Sequence, residues 1–230
     1  MQPRVGRRET VFLLLTGLFV AALVACNLVA NKFVSVDLGF LGFNTPFLLS
    51  AGVLPYPVTF LITDILSEIY GRKRANQVVL TGFAASLFVL GILALGGQFN
   101  AIDGSPVDDE TYQRVFGNAW RVIFASMTAY LVAQLVDIRL FHFWKDLTRG
   151  RHLWLRNNAS TILSQLVDTT LVVCVLFVGA RSDDEILGLI IDGWTFKMLV
   201  ALVDTPLFYL LVHLFRRHVP EDPAPRSAIS

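Results

Sequence analysis

Charge is scarce in this chain. Only 16% of its 230 residues are Asp, Glu, Lys or Arg, where a soluble globular domain carries about a quarter. A surface wetted by water on all sides is therefore excluded. Cysteine is nearly absent too: Cys26 and Cys174 both fall in apolar runs, which leaves no disulfide framework and no thiolate metal site. No H-E-x-x-H, G-x-S-x-G or G-x-x-x-x-G-K-[ST] occurs, so zincin, serine-hydrolase and P-loop ATPase chemistry have no footing. The four histidines, His142, His152, His213 and His218, sit at or near helix ends on one side. No cofactor or metal is expected. The basic residues are split among short loops without an RNA- or DNA-binding motif, so nucleic acid is not an expected partner.

What the chain has instead is apolar length, with 54% hydrophobic residues. A helix needs about 20 mostly apolar residues to cross a bilayer. Such stretches lie at about 11–33, 46–69, 78–98, 120–143, 158–180 and 193–215. These predict an all-α fold: a polytopic membrane bundle of six transmembrane helices, forming one domain over residues 1–219. The polar, Pro-rich segment 220–230 is expected to be a disordered tail.

The loops carry alternating charge. Arg4, Arg7 and Arg8, then Arg72, Lys73 and Arg74, then Lys145, Arg149, Arg151 and Arg156, and finally Arg216 and Arg217 form one set. Asp103, Asp108, Asp109 and Glu110, and Asp183, Asp184 and Glu185, form the other. Cytoplasmic loops retain Lys and Arg. Both termini are therefore expected in the cytoplasm, with the chain crossing its membrane several times. Leu23-Val24-Ala25-Cys26 imitates a lipoprotein signal, but cleavage there would put the next basic loop on the wrong side. Asn158-Ala159-Ser160 is formally a glycosylation sequon, placed at a cytoplasmic helix end.

The informative residues are the polar ones inside the spans, since a charged group at a helix centre costs roughly 2.5–3.5 kcal/mol on insertion scales. The first span holds Asn27, Asn31 and Lys32. The second holds Thr59, Asp64 and Glu68, the two acids four apart on one face. Tyr130, Gln134 and Asp137 fall in the fourth; Ser160, Thr161, Ser164, Gln165, Asp168 and Thr169 fall in the fifth; Lys197 and Asp204 fall in the sixth. Some have bland readings. Glu68 lies one turn from Arg72 and can pair with that loop, Lys32 and Lys197 can snorkel to headgroups, and Asn27, Ser160 and Thr161 can act as interhelical glue. Asp137 and Asp168 each follow a Gln by three residues, in matching Q-L-V-D units that echo the internal symmetry of transporters. Pro55, Pro57 and Pro206 suggest broken or kinked helices beside the acids. The candidate substrate-binding set is thus Asn27, Thr59, Asp64, Glu68, Tyr130, Gln134, Asp137, Ser164, Gln165, Asp168, Lys197 and Asp204.

Carboxylates accept only, whereas Gln and Asn both donate and accept. With flat faces from Phe60, Tyr130 and Trp194 nearby, the inventory suits a small planar heterocycle bearing N–H donors and a carbonyl. The run from Pro57 to Gly71 (P-V-T-F-L-I-T-D-I-L-S-E-I-Y-G), Ser126 to Asp137 with A-Y and Q-L-V-D, and Trp154-Leu155-Arg156 leading to Ser160-Thr161, Gln165 and Asp168-Thr169 resemble the queuosine-precursor transporter family, also called the vitamin uptake transporter family. The resemblance spans almost the whole chain. It implies import of 7-deazaguanine bases, the 7-cyano and 7-aminomethyl precursors of queuosine. It also implies a fold similar to the six-helix substrate-binding subunits of energy-coupling-factor transporters, which dock a coupling subunit through small residues on the first helix; Ala21 and Ala25 have such a spacing here. The acidic segment 100–119 has no place in that pattern.

Three functions follow as alternatives. One is a solitary carrier for a small molecule. Another is the binding subunit of a multi-subunit ATP-driven importer, which needs a coupling partner. The third is an intramembrane enzyme working through paired aspartates. A homo-oligomer is compatible with the first two, and the lipid bilayer is a partner in all three.

Overall fold

The computed structural model describes residues 6–29, 32–37, 39, 46–117, 120–177 and 182–218. Six long helices dominate it: α1 (Arg7–Leu28), α2 (Tyr56–Ile69), α3 (Arg72–Gly96), α5 (Trp120–Leu147), α6 (Leu153–Phe177) and α7 (Asp183–His218), with a one-turn α4 (Asp109–Tyr112) between α3 and α5. Five helical segments are long and apolar enough to cross a membrane: Arg7–Leu28, Ala51–Ile69, Arg72–Gly96, Leu153–Val175 and Asp183–Arg217. The chain is a helical, multi-pass membrane protein. At 28 residues, α5 is about 42 Å long, with Asp137 and Arg139 in its second half.

Several helices start before their expected spans, α7 by ten residues at Asp183, and two boundaries fall short. The first apolar run stops being helical at Leu28, and residues 46–50 are not part of the second helix. Instead β1 (Phe33–Val36) pairs antiparallel with β2 (Phe47–Ser50), Phe33 opposite Ser50 and Val36 opposite Phe47. The reason lies in Pro55 and Pro57. A helix running upstream through Pro57 would need an N–H that proline lacks and would push its ring into the preceding turn. The apolar run at 46–53 therefore forms a strand and a 3-10 turn, Ala51–Val53. Pro55 and Pro57 begin α2 rather than breaking it, as prolines in a first turn do. Pro206, by contrast, lies inside the continuous α7. The expected tail at 220–230, and Asn31, lie outside the described residues.

Between α2 and α3, Tyr70 and Gly71 both donate to the Leu66 carbonyl. Gly71 takes φ +81°, a left-handed conformation that glycine adopts freely, so α3 starts at once and carries Arg72–Arg74 in its first turn. At the far end of α3, the exposed Asp108 caps α4 by accepting from the Thr111 N–H at 2.7 Å. That hydrogen bond holds its carboxyl below the usual carboxylate range.

Helix α2 is the central post, packed against α1, α3, α5 and α7. Thr59, Phe60, Ile62, Thr63, Asp64, Ile65, Leu66 and Ser67 are all buried within it. Its apolar members join Leu15, Phe19, Leu23, Val78, Val79, Ile138, Phe141 and Phe208 in the core. Gly82 of α3 lets Phe19 of α1 approach closely. Leu13, Leu14, Leu18, Leu80, Phe88, Ile92, Val203 and Leu210 stay exposed, the apolar periphery a bilayer requires.

Candidate functional site

The polar side chains that α2 cannot show to lipid meet those of α5, α6 and α7. Thr63 donates to Gln134 Oε1 at 3.1 Å, and Gln134 Nε2 donates to the Tyr130 hydroxyl at 2.7 Å and to Thr59 Oγ1 at 3.5 Å. Gln134 is fully buried, and this network satisfies it. Thr59, Tyr130 and Gln134 thus belong to an α2–α5 seam. One turn further along, Thr161 donates to Asp64 Oδ2 at 3.4 Å and Ser164 donates to Asp137 Oδ1 at 2.9 Å. Asp64 and Asp137 are thus both hydrogen-bonded to one turn of α6, while Asp64 Oδ1 and Asp137 Oδ2 meet no donor.

A cavity opens beside this seam, between α2, α6 and α7. It holds about 470 Å³ of empty space with its mouth included, and Tyr56, Phe60, Asp64, Asn157, Thr161, Gln165, Phe196, Lys197 and Asp204 are among its lining residues. Carboxylates, amides and a hydroxyl face it together with three aromatic rings. Gln165 Oε1 and Asn157 Oδ1 are buried without a hydrogen-bond partner, two acceptors left over by the protein itself. Lys197 also lines it, donating to Asp168 Oδ2 at 2.6 Å with its ammonium 4.8 Å from the centre of the Tyr56 ring. Asp168 is therefore neutralised by Lys197 at the cavity edge and is not itself on the lining.

Below Asp64, toward the ends of α2, α5, α6 and α7 that carry the basic loops, Glu68 forms a second cluster. Its side chain is 3% exposed and receives Lys145 Nζ at 3.1 Å, Arg156 at 2.7 Å and Arg216. Three helices are thus tied to the central post through one carboxylate. Arg156 is only 2% exposed and lies over the Phe141 ring, 5.5 Å from its centre.

Of the twelve sequence candidates, the structure brings Asp64, Gln165, Lys197 and Asp204 onto the cavity wall. Asp137, Ser164 and Asp168 stand behind them, and Thr59, Tyr130 and Gln134 form the adjoining seam. Glu68 serves the basic cluster, and Asn27 lies apart, donating to Ser86 of α3 at 3.4 Å. Asn158, the sequon residue, is buried, donating to the Trp154 carbonyl and accepting from Thr205 at 2.9 Å. Tyr56, Asn157 and Phe196 line the cavity without having been singled out. Asn157 sits at the foot of the polar Ser160–Asp168 ridge, one turn before Thr161, and that 3.6-residue spacing was the available signal. The Trp194 ring, proposed as a flat face, instead donates its N–H to the Ile162 carbonyl at 2.8 Å.

A family model described as "Putative vitamin uptake transporter" matches residues 50–211, a stretch holding every cavity residue. The chain is 30% identical over 172 residues to the "Probable queuosine precursor transporter" of Bacillus subtilis (strain 168), covering 74% of this chain and 73% of that protein. It is 23% identical over 201 residues to the "Queuosine precursor transporter" of Escherichia coli (strain K12), covering 84% of each. No solved structure matches the chain.

Proposed function

This chain belongs to the vitamin uptake transporter family, a family of transporters rather than enzymes, and on that basis we propose that it imports a 7-deazaguanine precursor of queuosine through the α2–α6–α7 cavity. The observation that carries the proposal is the chemistry of the cavity wall. Asp64 and Asp204 offer carboxylate acceptors, Gln165 and Asn157 offer spare amide oxygens, and Tyr56, Phe60 and Phe196 offer rings. A guanine-like base has N–H donors along one edge, a carbonyl beside them and a flat face. The donors match the acceptors, the amide N–H groups of Asn157 and Gln165 can serve the carbonyl, and the rings can stack on the plane. A bare ion would leave the rings idle, and an acyl chain would leave the acids unpaired.

The bundle crosses the inner membrane six times, α5 included, with the basic loops and both termini in the cytoplasm. The cavity then sits above the Glu68 cluster, which closes its cytoplasmic side. Sites near the bilayer midplane flanked by a closed end are the arrangement that alternating access requires.

The test is queuosine in tRNA of a host that cannot make the precursor and lacks its own importer. Supplied with 7-cyano-7-deazaguanine, cells expressing this chain should regain queuosine. Cells expressing Asp64→Asn or Gln165→Leu at equal membrane abundance should not. Full restoration by both variants would remove the cavity from the reading, and failure of the wild-type chain in a host without coupling subunits would favour a multi-subunit importer.

A further inference from the structure

Four buried or nearly buried acids lie along the core, and the protein balances two of them. Glu68 has Lys145, Arg156 and Arg216. Asp168 has Lys197. Asp64 and Asp137, 2% and 0% exposed, have neither lysine nor arginine among the described residues. Their partners are neutral: Thr161 on Asp64, and Ser164, with Ser160 and Thr161 close by, on Asp137. One oxygen of each carboxyl has no donor, and the two groups face one turn of α6 through Thr161 and Ser164. Two carboxylates so placed in a medium of low dielectric cannot both be ionised unless positive charge lies between them.

We propose that Asp64 and Asp137 hold a small monovalent cation, a proton or a sodium ion, between their carboxyl groups, and that its occupancy is coupled to substrate at Asp64. The coupling rests on the transport reading above, and it follows from position. Asp64 faces the cavity and Asp137 lies behind it, so one carboxyl touches both the substrate and the cation. With the cation in place, Asp64 is held in line to accept a substrate N–H. Without it, repulsion from Asp137 works against that geometry. An inward cation gradient therefore drives uptake. The charged groups on the surrounding elements are already committed: Glu68 on α2 to the basic cluster, Lys145 on α5 and Arg156 on α6 to Glu68, Asp168 on α6 to Lys197 of α7, and Arg216 of α7 to Glu68. Asp204 of α7 adds a further negative charge at the cavity wall.

The full chain, purified and reconstituted in liposomes, separates the possibilities. Initial uptake of radiolabelled 7-cyano-7-deazaguanine is measured with an inward proton gradient at equal sodium, with an inward sodium gradient at equal pH, and with neither, at clamped voltage. At least one gradient should raise the rate about fivefold or more, the lower bound of an ordinary coupling, and Asp137→Asn should lose that acceleration. A response to the proton gradient alone identifies a shared proton, and a response to sodium alone identifies the metal ion. Uptake indifferent to both gradients overturns the coupling and leaves the transport reading standing. Absence of uptake in every arm refutes the transport reading instead, and the cation site is then decided on ligand-free wild-type protein. A protonated-carboxyl infrared band, or a thermal midpoint raised by sodium chloride over potassium chloride, supports it, and the absence of both overturns it.

Discussion

Replacing Glu68 by glutamine keeps shape and removes one charge. In the native protein that charge answers three cations on three helices, and the three are not equal. Arg156 is 2% exposed, Lys145 31% and Arg216 62%. Water can take over for Arg216 and in part for Lys145, but it cannot reach Arg156. Breaking a buried pair from one side costs about 3–5 kcal/mol, because the survivor is left charged and unpaired. The glutamine carbonyl still accepts one hydrogen bond, which puts Glu68→Gln near the lower end, about 3 kcal/mol. Arg216→Gln removes an exposed partner and should cost less than about 1 kcal/mol. Arg156→Gln should fall between them, since Lys145 and Arg216 remain to neutralise Glu68. The double variant Glu68→Gln with Arg156→Gln discards both buried charges and should be less damaging than the sum of the two singles, as a coupled pair requires. Reversible unfolding in mixed detergent micelles measures all four. If Glu68→Gln were within about 1 kcal/mol of wild type, or if Arg216→Gln cost as much as Glu68→Gln, the cluster would be a surface feature and the argument from burial would fail.

Two other substitutions probe separate contacts. At Gly82 an added Cβ would stand 2.4 Å from Phe19 Cε1, so Gly82→Ala should destabilise by about 1–3 kcal/mol through overpacking; Phe19→Leu in the same chain should return part of the loss, and an additive result would show that the two do not touch. Lys197→Met strands Asp168, whose side chain is 4% exposed, and should lower unfolding stability by about 3 kcal/mol or more. Adding Asp168→Asn should restore most of that stability but not uptake of the deazaguanine, and uptake regained by the double variant would take Lys197 out of the cavity's chemistry.

That the chain is a bundle of long apolar helices was legible because lipid enforces long apolar runs. The helix limits at 46–56 were not, since an apolar run of that length reads the same as strand or helix until the prolines are given their positions, and here Pro55 and Pro57 begin α2. Which elements carry polar groups was also legible. Which of those groups share one space was not. The matching Q-L-V-D units look equivalent in sequence, yet Gln134 is spent on Thr63, Tyr130 and Thr59 while Gln165 keeps a free oxygen on the cavity wall. The difference arises from neighbours: Gln134 faces the threonines of α2, and Gln165 faces the space between α2 and α7. Arg156 was counted as a loop charge because it precedes the apolar part of α6, although the helix starts at Leu153 and carries it inward to Glu68.

The bundle divides around α2 into two kinds of packing. On one side α1 and α3 meet it through Phe19, Leu23, Val78 and Val79, with Ile65 and Leu66 supplied by α2. On the other side α5, α6 and α7 add hydroxyls, amides and acids to the apolar contacts of Ile138, Phe141 and Phe208. Apolar contacts between helices gain little from a solvent that is itself apolar, so close packing and hydrogen bonds must hold a membrane bundle together. Here Thr63, Asp64, Gln134 and Thr161 supply hydrogen bonds that join α2 to α5 and α6, and Asp64 and Thr161 also line the cavity. The groups that would bind a solute therefore also hold the helices that would have to move around it. A ligand that takes over the hydrogen bond between Thr161 and Asp64 would weaken the α2–α6 seam at the moment of binding, while the Glu68 salt bridges still tie α2 to α5, α6 and α7. That division of labour ties occupancy of the site to the arrangement of its own walls.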